Sequence, residues 1–241
     1  AVNFPFENVY CTRLNLDKYK VSEEDGEKLK ALRKEMVKMP LPDIPPGAES
    51  LKDFPKNVQL TVQRLDEIFW RDVDSMDISR MLKEVNPIGG FEKAAAVSDI
   101  VSKRKANFHN VMYVGDSITD VEAFRLVRGR GGLTVSFNGN NFAVREAEVA
   151  VFSGNAVVTA VLSDAFGRFG KTQFMNFVKD WKPSTVSKFS LFEPLKTCFL
   201  KLCRREFPRV ELVNEWNKEK LMRESSAYRK SVRGKTVGRL G

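Results

Sequence analysis

Three features are scarce or missing in this sequence, and each absence excludes a class of protein. Cysteine occurs only as Cys11, Cys198 and Cys203, an odd number without metal-ligand spacing, which argues against a disulfide framework. His109 is the single histidine, so a zinc site of clustered histidine and cysteine is excluded. No apolar run reaches the roughly 18 residues of a membrane helix, and no signal segment opens the chain. We therefore expect a protein of the reducing cytoplasm with no membrane partner.

Nucleotide-binding glycine motifs and internal repeats are also missing. What is present is a hydrophobic fraction of 42% in 241 residues, enough for a substantial core in one large domain or in a core with an insertion. The net charge of +9 favours an anionic partner, such as a phosphate ester, a nucleic acid or an acidic surface. The same charge is common in proteins without such a partner, so it decides little.

The most informative stretch is residues 111–120, in which Val-Met-Tyr-Val ends in Gly-Asp and a second aspartate follows four positions later. A short apolar run bounded by glycine predicts a buried strand. Ser117 or Thr119 can cap the helix that opens at Asp120. Asp116 then lies at the carboxyl end of a parallel strand, where open α/β sheets bind their ligands.

The pair Asp116 and Asp120 has the ligand chemistry of a magnesium site. Asp120 follows Asp116 by about one helical turn, so both carboxylates can face one ion. Mg²⁺ usually takes one or two carboxylates together with waters and substrate phosphate. The alternative is a capped strand-to-helix turn with a solvated aspartate, and the spacing alone does not decide between the two.

The neighbouring segments add a pattern to this motif. Upstream, Gly-Gly-Phe-Glu-Lys at 89–93 opens a helix that leads into the strand, and downstream a strand at 133–137 runs into Asn-Gly-Asn-Asn. This order resembles the haloacid dehalogenase (HAD) superfamily of phosphatases, in particular its phosphoserine-phosphatase-like branch with archaeal relatives of unassigned substrate. The resemblance covers Pro87 to about Val161 and extends with less support to the first twenty residues.

The resemblance implies an α/β fold, a HAD-like Rossmannoid parallel sheet with a helical cap insertion, and roles for four residues. Lys93 would bind the phosphoryl group, and Asp116 would bind Mg²⁺ directly. Asp120 would bind it directly or through water. Asn138, at the end of the next strand, would contact substrate, although Asn-Gly is equally a favourable turn. The implied function is a Mg²⁺-dependent phosphomonoester hydrolase that acts through an aspartyl-phosphate on a small phosphorylated metabolite.

The attacking aspartate of such an enzyme cannot be named in this sequence. The segment Asp72-Val73-Asp74 has the Asp-x-Asp spacing but continues an amphipathic helix, which predicts a solvated helix face. Thr12 could close the family's second motif, although the alternation of Leu14-Asn15-Leu16 favours a hairpin after a short strand at 9–11. Because the sequence opens with Ala rather than Met, we expect the nucleophile upstream of residue 1. The alternative is a non-catalytic HAD-like protein that binds or scaffolds through its basic tail and helical insertion.

The domain organisation follows from these patterns. Residues 1–22 and 87–170 form the expected α/β core, residues 23–86 a helical cap insertion, and residues 171–241 a helical, basic C-terminal extension. Within the insertion, Ser22 starts a helix whose inward face carries the apolar residues Leu29, Leu32, Met36 and Val37. A stiff linker with prolines at 40, 42, 45 and 46 separates it from a second helical block at 50–84.

Two features of the C-terminal extension indicate which partners the protein could bind. Its aromatic residues at helical spacing predict packing against the core rather than stacking on nucleic acid. Its last part carries basic residues from Lys218 to Arg239, which we interpret as a solvated helix. The expected partner is a small phosphorylated substrate. We expect no nucleic acid, although the basic tail leaves RNA or an acidic partner open.

Overall fold

The computed structural model describes residues 5–40 and 50–234, which divide into two compact units, Ala1–Pro87 and Ile88–Gly241. The division falls next to the point at which the sequence predicts that the core resumes. Residues 5–22, the described part of the segment 1–22 that the sequence assigned to that core, fall in the first unit instead. No helix in the described ranges is both long enough and apolar enough to cross a membrane.

The regular elements in the described part of the first unit are all helical. Its elements are three short 3₁₀ turns, three α-helices and one π-helical turn: Phe6–Asn8, Leu16–Lys18, α1 (Glu23–Val37), Leu51–Asp53, α2 (Lys56–Glu67), the π-helical turn Ile68–Asp72 and α3 (Ser79–Glu84). The strand and hairpin predicted around residues 9–16 are wrong. The 3₁₀ turn breaks the alternation, and Leu14 and Leu16 are exposed, so no buried face forms there.

Helix α1 begins where the sequence predicts. The Ser22 hydroxyl accepts a hydrogen bond from the Asp25 amide at 3.1 Å, which satisfies one of the free amides of the first turn. Leu29, Leu32 and Met36 pack against a buried cluster formed by Ile68, Val73, Met76 and Ile78. Val37, predicted to face inward, is 77% exposed at the end of the helix. The prolines at 42, 45 and 46 lie outside the described residues.

The second unit contains a four-stranded sheet of order β1-β2-β3-β4. Its strands are Met112–Gly115, Leu133–Phe137, Val149–Phe152 and Arg209–Leu212, in that order. The first three are parallel, and β4 runs antiparallel to β3. The α/β class predicted from the sequence is therefore confirmed, and the predicted parallel sheet is found to be mostly parallel.

Seven helices accompany this sheet in the described part of the second unit: α4 (Phe91–Lys103), α5 (Val121–Gly129), α6 (Asn141–Glu146), α7 (Val157–Lys179), α8 (Pro183–Lys188), α9 (Glu193–Leu202) and α10 (Lys218–Arg233). Helix α7 is kinked at Gly170, whose φ of 69° lies in the left-handed region that glycine adopts without strain. Val97 and Val101 of α4 are buried, whereas Ile100 is exposed.

Both faces of the sheet are covered. Successive residues of a strand point to opposite faces, and both sets are apolar in β3. Val149 and Val151 point to one face, where they pack with residues of α7 and α9 in the largest core cluster. Ala150 and Phe152 point to the other face and pack with Leu221 of α10. The predicted aromatic packing is present, since Trp181 packs against the largest cluster and its indole donates a hydrogen bond to the Pro208 carbonyl at 2.7 Å.

Strand β4 is the main departure from the predicted secondary structure. The sequence indicates helices from residue 171 to the end, and α8, α9 and α10 agree with that. Arg209–Leu212 instead pairs with β3, with Val210 buried opposite Val151. Four residues of alternating polarity are too few to give a strand signal, and the partner strand lies far away in the sequence.

Candidate functional site

The polypeptide that leaves β1 forms a tight loop, residues 115–120, which we call the Asp116 turn. Within this loop, Ser117 caps the 3₁₀ turn Ile118–Asp120 with a capping box. Its hydroxyl contacts the Asp120 backbone, and the Asp120 carboxylate accepts from the Ser117 amide at 3.0 Å. A side chain at Gly115 would place its Cβ 2.6 Å from the Cβ and Cγ atoms of Asp120. Only glycine therefore lets the Asp120 carboxylate pack over the end of β1.

Asp120 is buried, with 3% of its surface exposed, and both of its oxygens are engaged. Oδ1 accepts from Lys93 Nζ and from the Tyr113 hydroxyl, each at 2.8 Å. Oδ2 accepts from the amides of Asp116 and Ser117 at 2.9 and 3.0 Å, and from the Ser117 hydroxyl at 3.2 Å. These five donors fill the acceptor capacity of a carboxylate. A direct bond from Asp120 to Mg²⁺ would have to replace some of them.

The charge state of this cluster follows from its surroundings. Burial acts to raise the pKa of Asp120, but hydrogen bonds from Lys93, the Asp116 amide and Tyr113 outweigh burial, and the net pKa lies below its usual range. Burial and then the Asp120 charge raise the pKa of the Tyr113 hydroxyl. At neutral pH the carboxylate is thus ionised and Tyr113 is its neutral donor.

Lys93 lies in the first turn of α4, as the sequence predicts, and the structure brings it to the Asp116 turn. Its ammonium group donates to the Thr119 hydroxyl at 2.9 Å and to Asp120 at 2.8 Å, with 28% of the side chain exposed. The start of α4 is tied to the same turn, because the Gly90 amide donates to the Thr119 carbonyl at 2.9 Å. Two of the four residues predicted to form the site, Lys93 and Asp120, are therefore in direct contact.

Asp116, the third predicted residue, has partners that the sequence did not indicate. Its Oδ2 atom accepts from Arg229 Nη1 at 2.6 Å and from Arg233 Nη2 at 2.5 Å. The same Arg229 nitrogen also donates to the carbonyls of Asp116 and Asn138, at 3.1 and 3.2 Å. Hydrogen bonds between ionised partners are about twice as strong as neutral ones. Two guanidinium groups of α10 therefore neutralise the carboxylate predicted to bind magnesium.

The packing of α10 explains why these arginines reach the Asp116 turn. Leu221, Ser225 and Arg229 are spaced four residues apart, so they share one helix face, and all three are buried. The Ser225 hydroxyl donates to the Gly139 carbonyl at 2.7 Å. Arg233 continues the same face by one turn. The interpretation of the tail as a solvated helix is wrong for this face, and Lys235 and Arg239 lie outside the described residues.

The four-residue spacing of Leu221, Ser225 and Arg229 was the available sequence signal for this buried face. It is weak, because arginine is almost never fully buried unless it is paired. Its partner, Asp116, lies 113 residues away in the sequence. Sequence reasoning therefore missed Arg229 and Arg233, and it also missed Tyr113 as a donor to Asp120.

Asn138, predicted as a weak substrate contact, joins the ends of two strands in the structure. Its side-chain nitrogen donates to the Ser153 carbonyl at 2.7 Å, and its side-chain oxygen accepts from the Ser153 amide at 3.0 Å. The residue is buried and has a φ of 48°, a conformation that asparagine tolerates in turns. The side chain of Asn138 thus has structural partners, and its carbonyl accepts from Arg229 next to Asp116. The predicted substrate contact stays a prediction.

The Asp-x-Asp segment of the first unit follows a helix, and Val73 and Asp74 lie in the turn after it rather than on the predicted helix face. Asp72 ends the π-helical turn and accepts from Arg64 at 2.9 Å and from Arg71 at 3.0 Å. The hydrogen bond from Arg71 is the largest of the causes that lower the pKa of Asp72. Asp74 pairs with Lys83 at 2.7 Å. Neither acid follows a strand, so neither has the position that the family's nucleophile requires.

The carboxylate oxygens of Asp116 and Asp120 are not free to bind Mg²⁺ in the arrangement observed. Asp116 shares one oxygen with two cationic groups, and Asp120 is filled by hydrogen bonds. Within residues 5–40 and 50–234, no group of three or more His, Cys, Asp or Glu residues could hold a metal ion. Magnesium therefore stays a prediction that requires Asp116 to exchange its partners.

Comparison with known proteins shows the fold but not the family. No family model matches the chain, and no curated protein matches it. A solved structure, that of the gene product AF1437 from Archaeoglobus fulgidus, is similar with a TM-score of 0.69 and 21% sequence identity. The match covers 95% of this chain, which spans 58% of the archaeal one. At this identity the likeness supports the mixed α/β fold alone, and the resemblance to HAD phosphatases rests on the motifs.

Proposed function

We propose that residues 88–234 form the α/β core of a HAD-type phosphomonoesterase that acts on a small phosphorylated metabolite. The observation that carries the proposal is the position of the Lys93 ammonium group in the Asp116 turn. Its Nζ atom lies 2.8 Å from Asp120 Oδ1 and 2.9 Å from the Thr119 hydroxyl. This cluster lies at the carboxyl end of a parallel strand, the edge at which open α/β sheets bind their ligands. The similar fold of the archaeal structure is consistent with the proposal.

In this proposal Lys93 binds the phosphoryl group of the substrate. An ammonium group has three donors, and two of them serve Thr119 and Asp120, which leaves the third for a phosphoryl oxygen. Asp120 fixes the direction of the lysine, because the Asp116 turn holds its carboxylate through the Asp116 and Ser117 amides. A pre-oriented positive charge of this kind stabilises the charge that develops on a transferred phosphoryl group.

The proposal assigns Asp116 as the direct ligand of Mg²⁺, since Asp120 is committed to the turn. A magnesium ion bound there would neutralise charge on the substrate phosphate. This assignment requires the arginines of α10 to leave Asp116. The attacking carboxylate is provided by none of the described acids at this edge of the sheet, and the proposal places it in an upstream segment.

Phosphate release from p-nitrophenyl phosphate with Mg²⁺ tests the proposal, by comparison of residues 1–241 with a version extended upstream. We expect activity in the extended chain only, because charge stabilisation without a positioned nucleophile does not transfer the phosphoryl group. Equal, Mg²⁺-dependent activity in both would show that a carboxylate such as Asp72 or Asp74 is the nucleophile. Inactivity in both would contradict the proposal.

A second candidate is a non-catalytic HAD-like protein that binds or scaffolds. The observation in its favour is the pairing of Asp116 with Arg229 and Arg233, which neutralises the carboxylate that the enzyme needs. This candidate predicts that the extended chain is inactive even when Arg233 is replaced, whereas the enzyme proposal predicts activity.

A further inference from the structure

The excess of positive charge in this protein lies entirely in the second unit. Lys and Arg outnumber Asp and Glu from residue 88 onward, whereas the first unit has slightly more acidic than basic residues. At the Asp116 turn, Arg229 and Arg233 are paired with the Asp116 carboxylate. Other basic residues, with exposed side chains, gather at the opposite edge of the sheet, where β1, β2 and β3 begin. We call this the amino edge.

The loops that precede β1 and β2 pack against each other at the amino edge. A Cβ atom at Gly131 would lie 2.8 Å from His109 Nε2. The Arg130 guanidinium lies 5.4 Å from the centre of the Phe108 ring, in a cation–π contact. The two loops therefore present their cations on one surface. The exposed basic residues in them are Arg104, Lys105, Arg128 and Arg130.

The acidic residues at the start of β3 are held by basic partners. Glu148 pairs with Lys171 at 2.8 Å, and Glu146 pairs with Arg125 at 3.0 Å. Arg128 donates to the Glu146 carbonyl at 3.3 Å rather than to a carboxylate. Some of the positive charge serves the ends of α4 and α5, but a helix dipole amounts to only about half a charge at each end. The amino edge therefore keeps a net positive charge.

The loop after β4 brings an exposed tryptophan to the same edge. The Val213 amide donates to the Glu148 carbonyl at 2.8 Å, so this loop begins beside the start of β3. Trp216 within it is 96% exposed. The side-chain oxygen of Asn214 accepts from the amides of Trp216 and Asn217 at 3.0 and 3.1 Å. A hydrogen-bonded turn thus presents to solvent an indole ring that adds nothing to the core.

We propose that the amino edge binds single-stranded nucleic acid, with a base stacked on Trp216 and phosphates bound by the loops before β1 and β2. Neighbouring strands lie about 4.8 Å apart, so β2 and β4 are separated by about 10 Å. About three nucleotides span that distance at the 3.4 Å spacing of a stacked strand. Base–aromatic stacking beside a cationic surface is the usual chemistry of such binding.

This inference goes beyond the proposed function and does not depend on it, because the Asp116 turn lies at the other edge of the sheet. It revises the expectation of no nucleic acid, which was based on the basic tail rather than on this edge.

The side chains at the amino edge favour nucleic acid over a membrane surface. In the loops before β1, β2 and β3 and after β4, all of which the structure describes, Trp216 is the only large hydrophobic side chain that is exposed. The adjacent Glu215 carboxylate pairs with Lys218 at 2.9 Å. One ring is enough to stack on a base, whereas binding to a membrane grows with the apolar area that is buried in it.

Fluorescence anisotropy of labelled oligouridylate and oligothymidylate tests the proposal on the full chain. We expect both to bind at low salt, and a duplex of the same length to bind more weakly because its bases are not free to stack. Trp216→Ala should weaken binding about tenfold, through the loss of one base–aromatic stack. Trp70→Ala is the matched control, since it removes an exposed tryptophan of the first unit and should leave the affinity unchanged.

The salt dependence of binding tests the part played by charge. Each phosphate contact on a single strand contributes about 0.7 to the slope of log Kd against log salt concentration, so Arg128→Gln combined with Arg130→Gln should lower that slope by about 1.4. The matched control combines Arg204→Gln with Arg205→Gln. It removes the same charge from exposed residues ahead of β4, which starts at the other edge of the sheet, and should leave the slope unchanged.

Several results would overturn the proposal. These are absence of binding at low salt, tighter binding of the duplex, unchanged affinity in Trp216→Ala, and an equal change of slope in the two double variants. Phosphatidylserine vesicles or polyglutamate that bind as tightly as the oligonucleotides, with the same sensitivity to Trp216→Ala, would overturn it in favour of a membrane or an acidic protein. Urea unfolding of each variant should match the original chain, since the replaced side chains are exposed, so a loss of affinity reports binding.

Discussion

Replacement of Asp120 by Asn should destabilise the protein strongly, because the carboxylate organises the whole Asp116 turn. The substitution removes the partner of Lys93 at 2.8 Å and turns an amide nitrogen toward donors such as the Asp116 and Ser117 amides. Breaking a buried ion pair costs about 3–5 kcal/mol. Lys93 retains some contact with water, so we expect the lower end, about 3 kcal/mol. Urea unfolding followed by circular dichroism measures this loss.

The pH dependence of the loss gives a second check. The pKa of Asp120 is lowered in the folded state, so its contribution to stability is present above the unfolded pKa of about 3.9 and is lost as the pH falls through the folded pKa. The difference between the original chain and Asp120→Asn should thus be constant near neutral pH and shrink in acid. The control Asp99→Asn removes an exposed pair with Lys103 and should cost at most about 1 kcal/mol. An equally small cost for Asp120→Asn would refute the reasoning.

Two further predictions concern the packing around the site. Gly115→Ala should lower the free energy of unfolding in urea by about 1–3 kcal/mol, because the new methyl group would overlap Asp120. Gly129→Ala, which has open space around it, should leave that free energy unchanged. Equal effects of the two would contradict the close approach. Ser225→Ala should lower the free energy of unfolding by about 1–3 kcal/mol, since it leaves the buried Gly139 carbonyl without its hydrogen-bond donor. A thermal melt that matches the original chain would show that this hydrogen bond does not hold α10 in place.

Local sequence patterns predicted the part of the fold that surrounds the Asp116 turn. Strand β2 has the predicted bounds, because it is an apolar run that ends in turn residues. The cap at Ser22 also follows from local chemistry alone. The contact of Lys93 with Asp120 could have been predicted, since helices that run antiparallel to a parallel sheet place their amino ends at the carboxyl edge of its strands.

The remaining features depend on contacts between distant parts of the chain. Strand β4 forms because Val210 pairs with Val151 of β3, and a four-residue segment carries no sequence signal of that pairing. The burial of Arg229 depends on Asp116 and on two carbonyls, none of which is near it in the sequence. Spacing placed Asp120 beside Asp116, but it could not show that the Asp120 carboxylate points into the turn rather than toward a ligand.

Phosphate release by the upstream-extended chain carrying Lys93→Met tests most directly whether the Asp116 turn is a phosphoryl site. Removal of one preorganised charge from the transferred group typically costs about 10²–10³ in kcat. We predict a loss of that size for Lys93→Met and none for Lys103→Met, which removes an exposed lysine from the end of the same helix. Equal rates for the extended chain and its Lys93→Met variant would contradict the assignment of this site.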